Sequence, residues 1–451
     1  MKQHGAGGDV LKKYKQLMER MDPMRPMGRV LQVTGMSLIS EGPPDAGVGD
    51  LCRVEIQGSD DLLGCEVVGF QGHNLVLMPL GPTSGIAPNA RVLAQGRRLA
   101  IPVTEELLGR IVDGLGRPLD NKPPLLAAEQ RLVDHDPPLP TERPPIERVM
   151  ETGVRAIDAM LSIGSGQRVG IFAGTGVGKS TLLGMIARYT RADVNVICLV
   201  GERGREVREF IEQDLGEEGL NRSVVFAATS DRSALEKVYC AGFATSVAEY
   251  FRDQGLRVNL YMDSLTRYCM ALREIGISSG EQIGQGGYPP GVWYRLSRLV
   301  ERAGTRAGGS ITGFYTVLVE ADDLTDPVAD NARGVLDGHI VLSRRLAQRG
   351  HYPAIEITES ISRVMDRVVG QRHREDAVRL RSVLAGYREN EELINLGAYA
   401  RGSNPEVDEY LEKKQRIDAL LRQDIRDGGN MEDTIEQLNA LMRTTEEEPL
   451  Y

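Results

Sequence analysis

The first hundred residues contain short apolar runs that recur at intervals and are separated by turn-forming residues. The runs Cys52–Ile56, Cys65–Phe70 and Asn74–Met78 are rich in aliphatic and β-branched side chains, with Gly, Pro, Asn and Asp between them. Runs of this length and spacing indicate β-strands joined by tight turns. A closed barrel leaves such strands without an open edge, so the pattern predicts a small β-barrel domain over residues 28–100.

A different pattern follows the segment Asp136–Pro145, which contains five prolines. Proline stiffens an extended chain and removes backbone donors, so residues 101–145 are interpreted as a connecting segment and proline-rich linker. Beyond it, the continuous apolar runs Val169–Ala173, Val194–Val200 and Val258–Met262 alternate with helical segments. Fully apolar strands are typical of parallel sheets covered by helices on both faces, which predicts an α/β core over residues 146–366.

Both ends of the chain have helical patterns. Residues 1–28 carry six Lys/Arg against three Asp/Glu, and their apolar residues fall at helical spacing. Residues 1–27 are therefore predicted to form a basic amphipathic helix. Its apolar side could pack on its own chain or dock a partner or a membrane surface. Strand patterns also fade after the core, and residues 367–451 are predicted to be a helical C-terminal domain.

Composition narrows the classes of function. The 451 residues include 54 basic and 64 acidic side chains, a formal charge of −10, which argues against broad nucleic-acid binding. The five cysteines form no C-x-x-C pair, so no zinc site or disulfide framework is indicated. No apolar run approaches the length of a bilayer span, and the N-terminus lacks the apolar core of a secretory signal. A cytoplasmic location is expected.

The strongest chemical signal is the glycine-rich stretch A-G-T-G-V-G-K-S-T, which follows an apolar strand and opens an apolar-periodic helix. This context is that of a P-loop, in which glycines let backbone N–H groups surround phosphate oxygens at a helix N-terminus. Lys179 is expected to reach the β- and γ-phosphates, as a catalytic residue. The predicted ATP-binding residues of the loop are Gly174, Thr175, Gly176, Val177, Gly178, Lys179, Ser180 and Thr181.

Acidic residues end the next two apolar strands. Asp263 ends the run Asn259–Asp263, about eighty residues after the P-loop, where an acid is expected to hold Mg²⁺ through water while Ser180 offers its hydroxyl. Glu202 ends a strand-like run before Arg203, and it could polarise a water in line with the γ-phosphate. Arg267 is a candidate phosphate sensor, with a structural role as the alternative.

Four longer motifs resemble one family. They are G-E-R-G-R-E-V (Gly201–Val207), M-D-S-L-T-R-Y (Met262–Tyr268), G-G-Y-P-P (Gly286–Pro290) and L-D-G-H-I-V-L-S-R-R-L-A (Leu336–Ala347). From about Gly28 to Leu441 the chain resembles the type III protein-export ATPases, relatives of the rotary ATP-synthase subunits. The resemblance implies a β-barrel, a RecA-like ATPase core and a helical C-terminal domain, assembled as a homohexameric ring.

The resemblance also implies roles for individual residues. Glu202 resembles the catalytic glutamate that orients the attacking water, and Arg203, beside it in the same turn, is also expected to be catalytic. Arg363, in Glu359-Ser-Ile-Ser-Arg-Val, resembles the arginine finger offered to a neighbouring subunit, where a delocalised cation stabilises the transferred phosphoryl group. Tyr352 resembles the aromatic residue that stacks on adenine, and Tyr399 is a second candidate.

Partners follow from the same resemblance. The N-terminal helix resembles the segment that binds a stator-like regulatory protein and anionic lipid, which implies peripheral association with an inner-membrane export apparatus. The expected function is Mg-dependent ATP hydrolysis coupled to chaperone release and entry of export substrates at the export gate. The segment Glu392–Pro405 resembles flagellar members more than injectisome members, so flagellar service is expected, with injectisome service as the alternative.

The residues alone leave three other interpretations of the function open. A rotary ATP-synthase-type or vacuolar-type subunit and the transcription terminator helicase share the fold. The acidic net charge argues against the helicase, and the stretch Leu336–Ala347 argues against the synthase. The third reading is a non-hydrolysing nucleotide-binding ring subunit, and Glu202 argues against it because such subunits lack the catalytic carboxylate.

Overall fold

The computed structural model describes residues 26–125, 129–319 and 325–443, in which the side chain of Gln285 is left out. The predicted basic helix therefore lies outside the described residues, apart from Pro26 and Met27. The predicted fold class is confirmed: a β-barrel is followed by a mainly parallel central sheet and by C-terminal helices. The described chain divides into two compact units, one that contains residues up to Leu99 together with Ser278–Gly280, and one that contains the remainder.

The barrel of the first unit is closed and has six antiparallel strands in the order β1-β2-β5-β4-β3-β6. Alternate residues of β3 and β4 point inward, and the interior is filled by aliphatic residues such as Val54, Val67 and Leu77. Pairing of the last strand with both the first and the third closes the sheet. The strands are β1 (Met27–Thr34), β2 (Ser37–Glu41), β3 (Leu51–Glu55), β4 (Leu62–Gln71), β5 (Asn74–Pro79) and β6 (Arg91–Ala94).

The later strands of the described chain form one large sheet and two small pairs. They are β7 (Ala100–Val103), β8 (Arg110–Asp113), β9 (Glu129–Leu132), β10 (Val149–Met150), β11 (Ile163–Gly164), β12 (Arg168–Ala173), β13 (Val194–Val200), β14 (Ser223–Ala228), β15 (Arg257–Asp263), β16 (Gly304–Arg306), β17 (Gly309–Leu318), β18 (Gly338–Leu342) and β19 (Ile361–Ser362). The pairs β7–β9 and β10–β11 are antiparallel.

The large sheet has nine strands within the described ranges. Eight follow the order β19-β18-β12-β17-β15-β13-β14-β8, and β16 pairs with β17. β13 and β14 are buried along their whole length, as expected for parallel strands with helices on both faces. Since β12, β13, β15, β17 and β18 are parallel, their carboxyl ends meet at one edge of the sheet.

The stretch interpreted from the sequence as a connecting segment contributes to this sheet. β8 lies within residues 101–145 and pairs in parallel with β14. Arg110 at its start forms an ion pair with Asp120, and both side chains are nearly buried. Four residues are too few to show the alternation of a strand, so the sequence pattern did not predict β8. Its place in the sheet depends on pairing with β14, which lies more than a hundred residues later in the sequence.

Helices cover the sheet and continue into the C-terminal region. The α-helices of the described chain are Arg155–Met160, Lys179–Tyr189, Gly204–Glu209, Gly216–Asn221, Ala234–Asp253, Leu265–Ser278, Pro290–Glu301, Pro327–Val335, Arg344–Gln348, Met365–Val368, Gln371–Asn395, Pro405–Leu421 and Met431–Met442. A π-helical segment, Phe210–Leu215, joins two of them. Within the described ranges, no helix combines the length and the apolar character needed to cross a bilayer.

The last three helices pack on each other and on the core. Asn404 and Asn430 cap two of them by accepting hydrogen bonds from backbone N–H groups of the first turn. The rings of Tyr387 and Tyr410 stack with centroids 3.8 Å apart, which joins the long helix Gln371–Asn395 to the next. Their apolar faces share one core with the P-loop helix Lys179–Tyr189, so the nucleotide-binding core and the C-terminal helices form one packed unit.

Candidate nucleotide-binding site

The P-loop connects the carboxyl end of β12 to the helix Lys179–Tyr189. Gly176 and Gly178 have φ values of +77° and +93°, which side chains rarely adopt. Val177 between them is 2% exposed and anchors the loop in the core. The first turn of the helix begins at Lys179, so its free N–H groups lie where a phosphate would bind.

Lys179 reaches two carboxylates on neighbouring strands. Its Nζ donates to Oδ1 of Asp263 and lies 3.4 Å from Oε1 of Glu202. Burial opposes the charge of the ammonium group, but the two carboxylates outweigh it and raise the pKa of Lys179. Three residues predicted separately from sequence therefore form one buried, charged cluster at the mouth of the P-loop.

Asp263 ends β15 and is 3% exposed. Its Oδ1 also accepts a hydrogen bond of 2.7 Å from Oγ1 of Thr316, a buried residue of the adjacent strand β17. This partner orients the carboxylate that is predicted to serve Mg²⁺. Sequence reasoning missed Thr316, because only the pairing of β15 with β17 brings it beside Asp263.

Glu202 follows β13 and is mostly buried. Burial and then the negative charge of Asp263 raise the pKa of Glu202 to about 7, against the opposing effect of Lys179. A carboxyl group that titrates near neutrality suits the role of a water-orienting base. Gly201 before it has a φ of +73°, and a Cβ there would approach the side chain of Arg267 within 3.0 Å, so Arg267 lies against this turn.

The residues beside the P-loop fit a magnesium ion bound together with phosphate. Ser180 lies on the exposed side of the first helical turn, and Asp263 supplies a carboxylate nearby. A hydroxyl, a carboxylate and phosphate oxygens are the donors that Mg²⁺ prefers. In residues 26–125, 129–319 and 325–443, no three acidic, His or Cys side chains cluster as metal ligands.

Tyr352 lies against the P-loop, although it is far from it in sequence. A Cβ built on Gly178 would lie 3.7 Å from Cδ1 and Cε1 of the tyrosine ring. The side chain is 44% exposed, and its backbone carbonyl accepts a hydrogen bond from the N–H of Gln423. A flat, accessible ring at this place can stack on a base. Tyr399 instead bonds to Asn404 and Asp408 within the C-terminal helices.

Two predicted catalytic residues lie outside the buried cluster. The exposed side chain of Arg203 contacts Glu206 at 3.4 Å. Arg363 is exposed, and its Nη2 donates to the backbone oxygen of Arg333 at 3.3 Å. The N–H of Arg363 bonds to Asp337, whose carboxylate holds Arg168 at the start of β12.

Arg363 therefore lies at the amino end of β12, whereas the P-loop follows its carboxyl end. A strand of six residues separates these ends by about 17 Å. An arginine side chain cannot cover that distance. Arg363 cannot act on a nucleotide held by its own P-loop.

Comparison with family models places three domains on the chain. The nucleotide-binding domain of the ATP synthase alpha/beta family matches residues 153–362, and the beta-barrel domain of that family matches residues 30–96. The C-terminal domain of the type III secretion ATPase EscN matches residues 369–440. The order of the three matches agrees with the barrel, sheet and helices described above.

Whole-chain relatives include export ATPases of two kinds. The flagellum-specific ATP synthase of Bacillus subtilis is 48% identical over 94% of this chain and 97% of its own. The type 3 secretion system ATPase of Sinorhizobium fredii is 46% identical over 94% of both chains. Among solved structures, the assembled ATPase EscN of enteropathogenic E. coli has a TM-score of 0.87 and 42% identity, covering 92% of this chain and 99% of that one.

Proposed function

The chain belongs to the type III secretion and flagellar export ATPase family, and we propose that it hydrolyses Mg-ATP in a ring to serve flagellar protein export. The family, the ATPase activity and the relationship to ATP synthase alpha/beta subunits follow from the matches over nearly the whole chain. The coupling to export, the metal, the ring and the flagellar service are our proposal.

The observation that carries the proposal is the buried cluster of Lys179, Glu202 and Asp263 at the mouth of the P-loop. When ATP binds, Lys179 exchanges its carboxylate partners for phosphate oxygens. Glu202 then accepts a hydrogen bond from the attacking water and orients it toward the γ-phosphate. The backbone N–H groups of the P-loop hold the remaining phosphate oxygens.

Ser180 and, through water, Asp263 would hold Mg²⁺. When bound there, Mg²⁺ would supply positive charge that offsets the negative charge of the phosphate groups. The hydroxyl of Thr316 keeps Asp263 in place for this role. The ring of Tyr352, beside Gly178, would stack on adenine and position the other end of the nucleotide.

A neighbouring subunit would complete the site. Arg363 is exposed and lies at the amino end of β12, a strand about 17 Å long whose other end leads into the P-loop. We therefore propose that it reaches a nucleotide bound by the next copy of this chain. The EscN structure with 42% identity is of the assembled ATPase, and a second EscN structure, with a TM-score of 0.84, contains its central stalk EscO. We propose a homohexamer in which Arg363 acts in trans and a stalk protein binds the ring.

The proposal assigns the ring to flagellar export on the basis of the segment Glu392–Pro405. The relatives do not favour either service, since flagellar and injectisome ATPases have almost the same identity to this chain. Expression in a host without its flagellar export ATPase should restore motility. Restored injectisome secretion without motility would assign the chain to the alternative service.

We place the ring in the cytoplasm, at the inner-membrane export apparatus. Chaperones and export substrates would meet it at the export gate, where ATP turnover would release the chaperone. A stator-like protein and the membrane surface are the proposed partners of the N-terminal helix. These partners rest on the family resemblance alone.

The experiment that tests the catalytic assignment is Glu202→Gln. This change keeps the shape of the side chain but removes the base, so ATP should still bind while turnover falls by about 100-fold or more. Turnover is measured by phosphate release, and binding by titration with a fluorescent ATP analogue. Glu209→Gln, at a partly exposed residue paired with Arg205, is the control and should remain active. Near-normal turnover of Glu202→Gln would remove Glu202 from the role.

A further inference from the structure

Arg363 is the last residue of a short stretch of chain, Glu356–Arg363, which we name the finger segment. It contains a 3₁₀ turn, Ile357–Glu359, and the two residues of β19. On the core side, the hydroxyl of Ser360 accepts a hydrogen bond from the N–H of Val341, and that of Ser362 donates to the backbone oxygen of Ser162. The backbone of the finger segment is therefore held against the sheet.

The long helix Gln371–Asn395 holds the same segment from the other side. Nη1 of Arg388 donates to Oγ1 of Thr358 at 2.6 Å, and its Nη2 bonds to the carboxylate of Glu359. Two turns earlier on the helix, Arg381 donates to the backbone oxygens of Ile357 and Ser360 at 2.5 and 2.7 Å. Two arginines on one face of the helix thus bond to consecutive residues of the finger segment.

The helix is fixed to the core at the turn that carries Arg388. Glu391, one turn further on, has a side chain only 7% exposed and takes ion pairs from Arg345 and Arg349. These arginines belong to the short helix Arg344–Gln348 and the residue after it, which precede Tyr352. Because both ends of the contact are anchored, Arg388 has a defined position from which to hold Glu359.

We propose that Arg388 is a positioning residue for Arg363, and through it for hydrolysis in the neighbouring subunit. The inference rests on the proposed function of Arg363 as a finger in trans. Within the described residues, the side chain of Arg363 makes one hydrogen bond, of 3.3 Å, so the direction of the side chain depends on its backbone. Glu359, held by Arg388, lies four residues before it.

Arg388 also lies near the P-loop of its own subunit. The test must therefore separate an effect on that P-loop from an effect on Arg363. Arg388 borders a cavity of about 240 Å³ together with Glu359, Ala173 and Gly174, the last two at the start of the P-loop. Removing the guanidinium could therefore disturb the nucleotide of its own subunit. The proposal instead places the main effect in the next subunit, which mixed rings can resolve.

The experiment uses two inactive parents. Lys179→Ala subunits cannot use their own site but keep the finger, and Arg363→Ala subunits keep the site but lack the finger. Mixed in equal amounts, they form some interfaces with an intact site and an intact finger, and these restore ATPase activity. If this pair gives no rescue at any ratio while rings form, the finger in trans is wrong and the proposal falls with it.

Arg388→Ala is then added to one parent at a time. In the Lys179→Ala parent, which supplies fingers, it should lower the rescued kcat about tenfold or more, because misplacement of a catalytic group by about 1 Å can cost 100-fold. In the Arg363→Ala parent, which supplies sites, rescue should change by less than about twofold. Arg379→Ala, on the same helix but paired with Glu409, should change neither.

Equal losses from both parents, or no loss from either, would overturn the positioning role. Arg388→Lys in the finger-supplying parent should recover part of the rescue, since it retains a charge for Glu359. If Arg388→Ala prevents ring assembly in mass photometry, Glu359→Gln probes the same pair from its other side. It should give the same one-sided loss, and a symmetric loss would also overturn the role.

Discussion

The two ends of the central sheet are built in opposite ways. At the carboxyl end, Lys179, Glu202 and Asp263 are mostly buried, and Lys179 pairs with both carboxylates. At the amino end, Arg363 is exposed, and among the described residues its side chain makes one hydrogen bond, of 3.3 Å to a backbone oxygen. A buried charge needs partners in its own chain, whereas an exposed one is free to serve another molecule. The difference supports the proposal that one chain contributes residues to two different sites.

Arg363→Ala removes the exposed charge at the amino end of the sheet and should have the largest effect. We expect kcat to fall about 1000-fold, because an arginine finger stabilises charge in the transition state, while ATP binding stays near normal. Steady-state kinetics and binding by the fluorescent analogue measure the two quantities. Arg367→Ala, four residues further on and also exposed, is the control. A similar loss of binding would place Arg363 in the ground-state site instead.

Thr316→Val tests the buried end of the sheet. It removes the hydroxyl that donates to Asp263 but preserves shape, and loss of such a partner typically weakens a metal site 10–100-fold. We expect about a tenfold higher Mg²⁺ requirement, measured from ATPase rate and from analogue binding against Mg²⁺ concentration. Thr316→Ser should behave as wild type. An unchanged Mg²⁺ dependence for Thr316→Val would show that Asp263 needs no such partner.

Tyr352→Ala tests whether the aromatic ring beside Gly178 contributes to ATP binding at the carboxyl end of the sheet. Stacking of a base on an aromatic ring contributes about 1–3 kcal/mol, so KM for ATP should rise about tenfold with kcat little changed. Tyr352→Phe keeps the ring and should bind ATP normally. If Tyr352→Ala lowers kcat and leaves KM unchanged, the ring does not stack on adenine.

Arg203→Ala should have the smallest effect. The residue follows Glu202 at the carboxyl end, yet its side chain is 81% exposed and contacts Glu206, which makes it resemble Arg363 more than Lys179. We expect kcat to fall only a few-fold, since exposed ion pairs contribute little. A loss as large as that of Glu202→Gln would assign Arg203 a catalytic role beside Glu202.

Sequence was most informative where the chemistry is local. Gly176, Gly178 and Lys179 lie within one motif between an apolar strand and an apolar-periodic helix, so the P-loop and its geometry could be predicted together. Asp263 could be predicted because an apolar strand ends there. Both features depend on residues that are adjacent in sequence. The structure places the P-loop directly after β12 and Asp263 at the end of β15, as those adjacent residues predict.

Contacts between distant segments could not be predicted. Thr316 meets Asp263 only because β15 pairs with β17. Arg388 meets Glu359 only because the long C-terminal helix packs against the finger segment. Likewise, β8 is too short to show a period, and its place in the sheet depends on β14. Arg363 and Tyr352 came from family resemblance, since a single arginine or tyrosine carries no pattern of its own.

Hydrolysis that needs a second subunit is tested most directly by specific ATPase activity against protein concentration, with mass photometry on the same samples and with and without Mg²⁺. Specific activity should rise together with the hexamer population and vanish without Mg²⁺. A monomer that is fully active at every concentration would contradict the trans role of Arg363 and the ring.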